Sequence, residues 1–520
     1  MAGYSRPAVA RIFGVPALGG LLFGWDIGAT SYVLTQLQSA EYSGVSWSGA
    51  VAGSSFLQGL ITSGGVAGAL IGAAIVFRVA DAIGRRRELI LAALLYVAGA
   101  VLEVASGFGT TEATGLALLL LGRVVYGAGC GFAMRVPGVR RSRLHAIAET
   151  SRRHRSYTHR HGAPAYIAEM SPASIRGTLV SLKEAAIVLG ICLGYGVGYA
   201  YSEKDGGWRW AYGWTLPASL LLLVGAQSLP PSARWLALRG KAVEAVASLA
   251  FVYPNDVDAR DAAAQELAVA SESRSNAPPP RLGDRRYRRA LTAGIGVVLL
   301  QQFTGQPSVL YYAGAIFDAA GVGAVASVAV GVFKLVATLG AVATVDKHGR
   351  RKLLFVGISL MVVALLGLAV AFHGFEGEGS GFTPRKVGII GLIFLYIAAY
   401  QISFGPIAWL LISELFPLEV RGQAVALAVQ ANFASNMVVA LLFPVARDAL
   451  KHVVGDAWAM SVLFAAFAAI ALYALEFVRA RVPETKGLSL EEIERYFASG
   501  ERLAGIESPL IPSAGDELVV

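Results

Sequence analysis

An aspartate stands inside the first apolar stretch of the chain. Asp26 lies in the sequence FGWDIG, within a run of apolar and glycine residues. A carboxylate at the centre of a hydrocarbon layer costs about 2.5 to 3.5 kcal/mol by insertion scales unless it faces a cavity, a partner or a proton. Asp26 is therefore a candidate functional residue. A permanent structural ion pair between two helices is the alternative.

Two adjacent glutamines form a second candidate. Gln301 and Gln302 lie in an apolar stretch shortly before Gly305, where a helix break would expose backbone groups. Because a primary amide both donates and accepts hydrogen bonds, the pair can bind the hydroxyl groups of a polyol. A polar contact between helices is the alternative for either residue alone.

Twelve apolar stretches carry these residues. Each is about 20 residues long, enough to cross a hydrocarbon core of about 30 Å as a helix. They are 11–32, 54–78, 88–107, 114–134, 178–200, 210–229, 290–317, 323–345, 352–372, 387–412, 423–443 and 458–479. The 520-residue chain is 55% hydrophobic and 15% charged, below the roughly 25% charged residues of soluble domains. The composition indicates a membrane protein.

The net charge of +9 is concentrated in one segment. Residues 135–160 contain eight Arg, three His and one Glu, and contribute +7. The other basic clusters, at 84–87, 281–289 and 349–352, fall in even-numbered loops. The positive-inside rule places these loops and both termini in the cytoplasm, so the charge does not indicate nucleic-acid binding. Both cysteines lie inside apolar stretches, and no metal site is predicted.

Two motifs occur twice, in the same order. VADAIGRRRE at 79–88 corresponds to TVDKHGRRKL at 344–353, and PAYIAEMSPASIRG at 164–177 corresponds to WLLISELFPLEVRG at 409–422. The repeat predicts two six-helix halves. The predicted organisation is a cytoplasmic N-terminus (1–10), a first bundle (11–229), a cytoplasmic linker (230–289), a second bundle (290–479) and a cytoplasmic tail (480–520).

The basic segment 135–160 interrupts the repeat. Gly84 and Glu169 are 85 residues apart, whereas Gly349 and Glu414 are 65 apart. Without the 26 residues of the segment the first interval would be 59, so we interpret the segment as an insertion in or after the fourth helix. Three alternatives explain the segment. It is either an unspliced intron or mispredicted exon translated in frame, a regulatory loop that binds phosphoinositides, or a neutral insertion.

Eight motifs resemble the sugar porter family of the major facilitator superfamily, over residues 11 to about 495. They are FGWDIG (23–28), DAIGRRR (81–87), RVVYGAG (123–129), PAYIAEMSPASIRG (164–177), LPPSARW (229–235), QQFTGQPSVLYY (301–312), FGPIAWLLISELFP (404–417) and VPETKGLSLEEIE (482–494). The runs RGTLVSLKEAAIVLG (176–190) and QQFTGQPSVLYYAG (301–314) most resemble the plant vacuolar and plastidic glucose transporters, often labelled xylose-proton symporter-like. The resemblance implies an all-α membrane protein with twelve transmembrane helices in two pseudo-symmetric halves. Such a protein moves a monosaccharide by alternating access, without enzymatic chemistry or catalytic residues.

The resemblance assigns proton coupling to Asp26 and Arg123. Proton-coupled members of the family have an aspartate at the position of Asp26, and Arg123 matches the arginine that pairs with it. The nearby cation stabilises the ionised carboxylate and burial stabilises the neutral form, so a conformational change can load or unload a proton. The proton gradient is then the expected co-substrate, and no other cofactor is predicted. A passive uniporter is the alternative.

The resemblance also implies a sugar site. The candidate sugar-binding residues are Gln301, Gln302, Trp409, Asn432, Glu184, Lys334 and Gln401. Glu184, Lys334 and Gln401 stand where the family usually has glutamine, asparagine and glutamate. Glu184 and Lys334 are predicted either to form an ion pair that switches during transport or to be a static tie between the halves. These departures leave the identity of the sugar open.

Charged residues of the repeated motifs are assigned to a network that closes the cytoplasmic side. They are Arg85, Arg86, Glu169, Arg176, Arg350, Arg351, Glu414 and Arg421. The alternative is that the arginines only mark cytoplasmic loops.

The expected partners are a monosaccharide, protons and the lipid bilayer, without nucleic acid. No transit pattern precedes residues 11–32, so the vacuolar or plasma membrane is predicted rather than the plastid envelope. A transport-defective isoform caused by residues 135–160 remains an alternative. A sugar sensor is disfavoured because the tail after the twelfth stretch has only about 40 residues.

Overall fold

All regular secondary structure is helical in the residues that the computed structural model describes. These are 4–109, 111–134, 165–172, 175–272, 282–319, 325–374, 383–417, 420–488 and 490–499. No β-strand occurs in these ranges. The segment 135–160 lies outside them.

The described ranges contain 22 α-helices. The first twelve are α1 (Arg6–Gln38), α2 (Ser48–Ala52), α3 (Ser55–Ile83), α4 (Arg85–Ala105), α5 (Glu112–Ala133), α6 (Ala165–Met170), α7 (Arg176–Ala200), α8 (Gly207–Gly213), α9 (Thr215–Ser228), α10 (Ala233–Leu238), α11 (Ala242–Leu249) and α12 (Val257–Glu272). The others are α13 (Arg288–Phe303), α14 (Gln306–Tyr311), α15 (Ala313–Ala319), α16 (Val325–His348), α17 (Arg350–Ala371), α18 (Pro384–Ile402), α19 (Phe404–Leu415), α20 (Arg421–Val454), α21 (Asp456–Arg481) and α22 (Leu490–Ser499).

Nine stretches of the described chain are long and apolar enough to cross a membrane. They comprise α1, α3, α4, α5, most of α7, α17, α18 with α19, α20, and α21. The other three predicted spans fall on interrupted or shorter helices. Span 210–229 corresponds to α9, preceded by α8; span 290–317 is divided among α13, α14 and α15; and span 323–345 corresponds to α16, whose apolar part is Val325–Ala341.

The seventh span is broken beside the two glutamines. Helix α13 ends at Phe303, and Gly305 has a φ of +97°, which side-chain-bearing residues rarely adopt. A Cβ at Gly305 would also lie 2.8 Å from a ring carbon of Phe467. The Tyr396 hydroxyl donates to the carbonyl of Thr304 at 3.1 Å and satisfies one backbone group near the break.

The helices form two compact units. The first contains Met1–Pro279, Pro307–Leu335 and Phe433–Asp448, and the second contains Pro280–Gln306, Val336–Asn432 and Ala449–Val520. In the first unit α1 packs along α7, and α5 packs against α3 and α4. In the second unit α17 packs against α18 and α21, and α13 packs against α19. The division into bundles 11–229 and 290–479 is based on the repeated motifs, and it stays a prediction.

Glycines allow α1 and α7 to approach closely. A Cβ at Gly24 would lie 1.8 Å from the carbonyl oxygen of Ile187, and a Cβ at Gly190 would lie 2.0 Å from that of Leu21. Neither position has room for a methyl group, so the two backbones are in direct contact. This contact fixes the position of Asp26, two residues after Gly24.

The predicted linker and tail contain helices that were not predicted from the sequence. Helices α10, α11 and α12 lie in 230–289, and α22 lies in 480–520. The Ser232 hydroxyl caps α10 by accepting a hydrogen bond from the backbone N–H of Trp235 at 3.2 Å. Leu249 and Val252 are buried in one cluster with Leu89 and Leu229. Part of the predicted linker therefore belongs to the core of the first unit.

Candidate functional site

A buried ion pair lies in the first unit. Arg123 of α5 contacts both carboxylate oxygens of Asp26 in α1: Nη1 bonds Oδ1, and Nη2 lies 3.1 Å from Oδ2. Asp26 is 3% exposed and Arg123 is fully buried. A guanidinium that bonds both oxygens of a carboxylate is a strong, directional pair. The structure thus brings together the two residues assigned to proton coupling.

Other helices hold the guanidinium of Arg123 in place. Its Nε donates to the carbonyl of Ile61 in α3 at 3.1 Å. The ring of Tyr212 in α8 lies 5.3 Å from its central carbon, a cation–π distance. The Tyr212 hydroxyl is hydrogen-bonded to Thr30 of α1 at 3.2 Å. Movements of α1, α3 or α8 would therefore change the surroundings of the ion pair.

A second carboxyl group, which was not predicted from the sequence, belongs to the same cluster. Glu103 of α4 is fully buried, and its Oε1 lies 3.4 Å from Nη1 of Arg123. The sequence contained the signal, because an acidic residue inside an apolar span is costly to bury and is a functional candidate for the same reason as Asp26.

Three of the predicted sugar-binding residues meet in the second unit. The Oε1 of Gln301 accepts hydrogen bonds from Nδ2 of Asn432 at 3.1 Å and from Nε2 of Gln302 at 3.3 Å. The Nε2 of Gln301 donates to the carbonyl of Phe404 at 2.8 Å. All three amides are buried. We call Gln301, Gln302 and Asn432 the amide cluster.

Two further candidates lie in the same unit. Gln401 of α18 is buried, and its Nε2 donates to the hydroxyl of Thr338 in α16 at 2.5 Å. Trp409 of α19 is half-buried. This hydrogen bond joins α18 to α16 and does not involve the amide cluster.

Glu184 and Lys334 both belong to the first unit. Glu184 of α7 interacts electrostatically with Lys334 of α16 and with its own neighbour Lys183. Both lysines are buried. No role was predicted for Lys183, which adds a second lysine to the surroundings of Glu184. An isolated ion pair is therefore an incomplete description.

Two residues of the predicted charge network, Arg85 and Glu169, form an ion pair in the first unit. The Nη2 of Arg85 lies 3.1 Å from Oε1 of Glu169, and the Ser232 hydroxyl donates to Oε2 of Glu169 at 2.5 Å. Each residue comes from a different motif, namely GRRR, PAYIAEM and LPPSARW. Ser232 was not predicted to take part.

The second unit contains an equivalent arrangement. The Nη2 of Arg350 lies 3.2 Å from Oε1 of Glu414, and the Thr485 hydroxyl donates to Oε2 of Glu414 at 2.6 Å. The carboxylate of Glu484 accepts from the backbone N–H groups of Arg350 at 2.9 Å and Arg351 at 3.0 Å, at the start of α17. A carboxylate at a helix N-terminus is stabilised by the helix dipole.

The remaining arginines of the predicted network bond to backbone carbonyls. Arg86 donates to Gln227 at 2.5 Å, Arg351 to Arg479 at 3.2 Å and Arg421 to Phe416 at 2.9 Å. The side chain of Arg176 is not among those described. Within the described chain, no group of three or more His, Cys, Asp or Glu side chains could hold a metal ion.

A family model described as Sugar (and other) transporter matches residues 13–137 and 159–497. The chain belongs to this family. Membership of the Sugar (and other) transporter family makes the chain a multi-pass membrane protein that transports sugar. Residues 138–158, which the family model leaves unmatched, lie within the basic segment 135–160.

Individual members of the family are similar over nearly the whole chain. The chain is 44% identical to D-xylose-proton symporter-like 3, chloroplastic, of Arabidopsis thaliana, covering 94% of this chain and 83% of that protein. It is 33% identical to the glucose transporter GlcP of Staphylococcus epidermidis, covering 93% and 96%.

A solved structure shows the same fold. The proton:xylose symporter XylE of E. coli, bound to 6-bromo-6-deoxy-D-glucose, matches with a TM-score of 0.69 and 28% identity, covering 95% of this chain and 100% of that chain. This likeness confirms the predicted major facilitator fold.

Proposed function

We propose that this protein is a proton-coupled monosaccharide symporter. The observation that carries the proposal is the buried ion pair of Asp26 and Arg123, in which the guanidinium bonds both carboxylate oxygens. Any conformational change that separates the guanidinium from the carboxylate leaves Asp26 buried without its counter-ion, which favours proton uptake. Relatives named as sugar–proton symporters support the same activity. The transported sugar leaves chemically unchanged, so the proposal includes no enzymatic step.

We assign sugar recognition to the amide cluster, with Gln401, Trp409, Glu184 and Lys334 as further candidates. Amide groups can exchange their mutual hydrogen bonds for bonds to sugar hydroxyls at little net cost. The half-buried Trp409 offers an apolar face of the kind that a sugar ring can pack against. The relatives' names include xylose and glucose, so we propose pentoses and hexoses as the substrate class.

Uptake into liposomes tests the proposal. The purified protein is reconstituted, and uptake of labelled D-xylose and D-glucose is measured with and without an imposed pH gradient and a protonophore. Symport predicts accumulation above equilibrium that the protonophore abolishes. Equilibration of sugar that ignores the gradient would identify the passive uniporter. Counterflow with a panel of hexoses and pentoses identifies the preferred sugar.

We also propose cytoplasmic termini and residence in the vacuolar or plasma membrane. The basic loops support the orientation by the positive-inside rule. The name of the Arabidopsis relative includes the word chloroplastic, so the plastid envelope is the competing location. Imaging of a fluorescent fusion beside markers of the three membranes decides between them.

Gln301→Ala is expected to raise the KM for sugar about tenfold or more. The change removes the acceptor of two amide hydrogen bonds and the donor to Phe404. Loss of one or two net hydrogen bonds of about 0.5 to 1.5 kcal/mol each corresponds to a change of about tenfold in affinity. Initial uptake rates over a range of sugar concentrations give the KM.

Gln36→Ala is the matched control for Gln301→Ala. Gln36 is also buried and donates to two backbone carbonyls, those of Tyr201 at 2.6 Å and Ser202 at 2.7 Å. This variant is expected to lose stability without a comparable rise in KM. Equal KM values for both variants and the unaltered protein would exclude Gln301 from sugar binding.

Removal of residues 135–160 is expected to leave transport at least as fast as in the full chain. The family pattern continues on both sides of the segment, and deletion rejoins GFAM to HGAPAYIAE. Liposome uptake per molecule of protein measures the effect, and transcript sequencing shows whether the corresponding 78 nucleotides are retained. Transport only after deletion would identify the full chain as a transport-defective isoform. Loss of transport on deletion, with the segment present in most transcripts, would contradict the prediction.

A further inference from the structure

Arg123 is shared between two carboxyl groups. Asp26 bonds the guanidinium through both of its oxygens, whereas Glu103 approaches it through Oε1 alone, at 3.4 Å from Nη1. The other oxygen of Glu103, Oε2, is buried and has no hydrogen-bond partner among the described residues. The two carboxyl groups therefore stand in unequal environments around one cation.

The charges of this cluster do not balance if both carboxyl groups are ionised. The titratable groups that interact electrostatically with Glu103 in the described chain are Arg123, Asp26, Tyr126, Cys130 and Tyr212. Arg123 is the one cation in this set. Two carboxylates and one guanidinium would leave a net negative charge in a fully buried place, which is strongly unfavourable. One proton bound to the cluster makes it neutral.

The geometry indicates which carboxyl group holds that proton. Asp26 has a cation against both oxygens, which suits the ionised form. Glu103 has one long contact to the cation and one buried oxygen with no donor among the described residues. A neutral carboxyl group costs less there than a carboxylate.

We propose that Glu103 and Asp26 share one proton, with Glu103 as its holder in this arrangement and Arg123 as the counter-ion of whichever group is ionised. When the proton moves from Glu103 to Asp26, the guanidinium changes its partner and the total charge stays at zero. Release of the proton to water leaves both groups ionised around Arg123. The inference rests on the proposed symport and adds a second proton-carrying residue to it.

The pH dependence of uptake tests this role. In Glu103→Gln, protonation of Asp26 leaves Arg123 without an alternative counter-ion, so half-maximal proton-driven uptake is expected about one pH unit or more towards acid. Glu103→Asp keeps the carboxyl group and should restore most of the original profile. Glu476→Gln makes the same chemical change at a half-exposed side chain of α21 and should not shift the profile.

Infrared spectroscopy tests the shared proton directly, without transport. A neutral carboxyl C=O band is expected in the unaltered protein and should weaken in both Glu103→Gln and Asp26→Asn, because each variant leaves one carboxylate permanently paired with Arg123. The comparison of the unaltered protein with Asp26→Asn applies even if Glu103→Gln does not fold.

The outcomes separate this inference from the proposed symport. Uptake by the unaltered protein that ignores the pH gradient contradicts symport itself. Proton-driven uptake with an unshifted Glu103→Gln profile overturns the role of Glu103 alone. A neutral carboxyl band that persists unchanged in Asp26→Asn overturns the sharing of the proton.

Discussion

Asp26→Asn is expected to exchange labelled for unlabelled sugar but not to accumulate it. Asparagine has nearly the same shape and can still accept a hydrogen bond from Arg123, so the packing around α1 is kept. An amide cannot take up or release a proton near neutral pH, so sugar movement is no longer coupled to the proton gradient. For one proton per sugar, a gradient of one pH unit supports up to about tenfold accumulation, and this ratio should fall to about one.

Counterflow and gradient-driven uptake in the same liposomes measure the two activities of Asp26→Asn. Asp448→Asn is the matched control, because Asp448 is exposed and accepts a hydrogen bond from Ser55 at 3.2 Å, outside the ion cluster. That variant should accumulate sugar normally. Full accumulation by Asp26→Asn would place the transported proton on another group, with Glu103 and Glu184 the next residues to test.

Gly24→Val is expected to lower the yield of folded protein at least about tenfold. The new Cβ would lie 1.8 Å from the carbonyl oxygen of Ile187, and the two methyl groups add further overlap. Overpacking usually costs about 1 to 3 kcal/mol when side chains can adjust. Here the obstacle is the backbone of α7, so relief requires separation of the whole helix pair. A free-energy cost of about 3 kcal/mol or more is enough to lower the amount of folded protein by the expected factor.

Size-exclusion chromatography of a fluorescent fusion and the midpoint of thermal unfolding measure the effect. Gly14→Val is the control, since it makes the same change in the same helix at a position where no heavy atom of the described chain lies within 4 Å of the added Cβ. Gly14→Val should give a normal elution profile. Equal profiles for the two variants would show that α1 and α7 are not held together by direct backbone contact.

The positions of the membrane helices were largely predictable because length and hydropathy determine them. The predicted span 88–107 corresponds to α4 and 352–372 to α17, each within three residues at either end. The division of the seventh span into α13, α14 and α15 was anticipated only at Gly305. Interruptions depend on tertiary contacts, such as that of Tyr396 with Thr304, which hydropathy does not contain.

The composition of the candidate sites was only partly predictable. Asp26 and Arg123 were paired through their motifs, but Glu103 was overlooked, although its charge inside an apolar span was visible. Ser232 and Thr485 were present in quoted motifs without an assigned role. In helices that are apolar on all sides, the sequence does not show which face meets which neighbour. Side chains that converge from different helices therefore become apparent only from the packed structure.

The sequence separation of 97 positions between Asp26 and Arg123 has a consequence for synthesis. At about 5 to 20 residues per second, a ribosome needs about 5 to 20 s to make that interval. During this time α1 exists without its cation, and a carboxylate at the centre of the membrane costs about 2.5 to 3.5 kcal/mol by insertion scales. The ion pair can therefore close only after α5 has been made. Substitutions at Arg123 should accordingly reduce the number of molecules that mature as well as their turnover, which makes counting inserted protein essential for comparing variants.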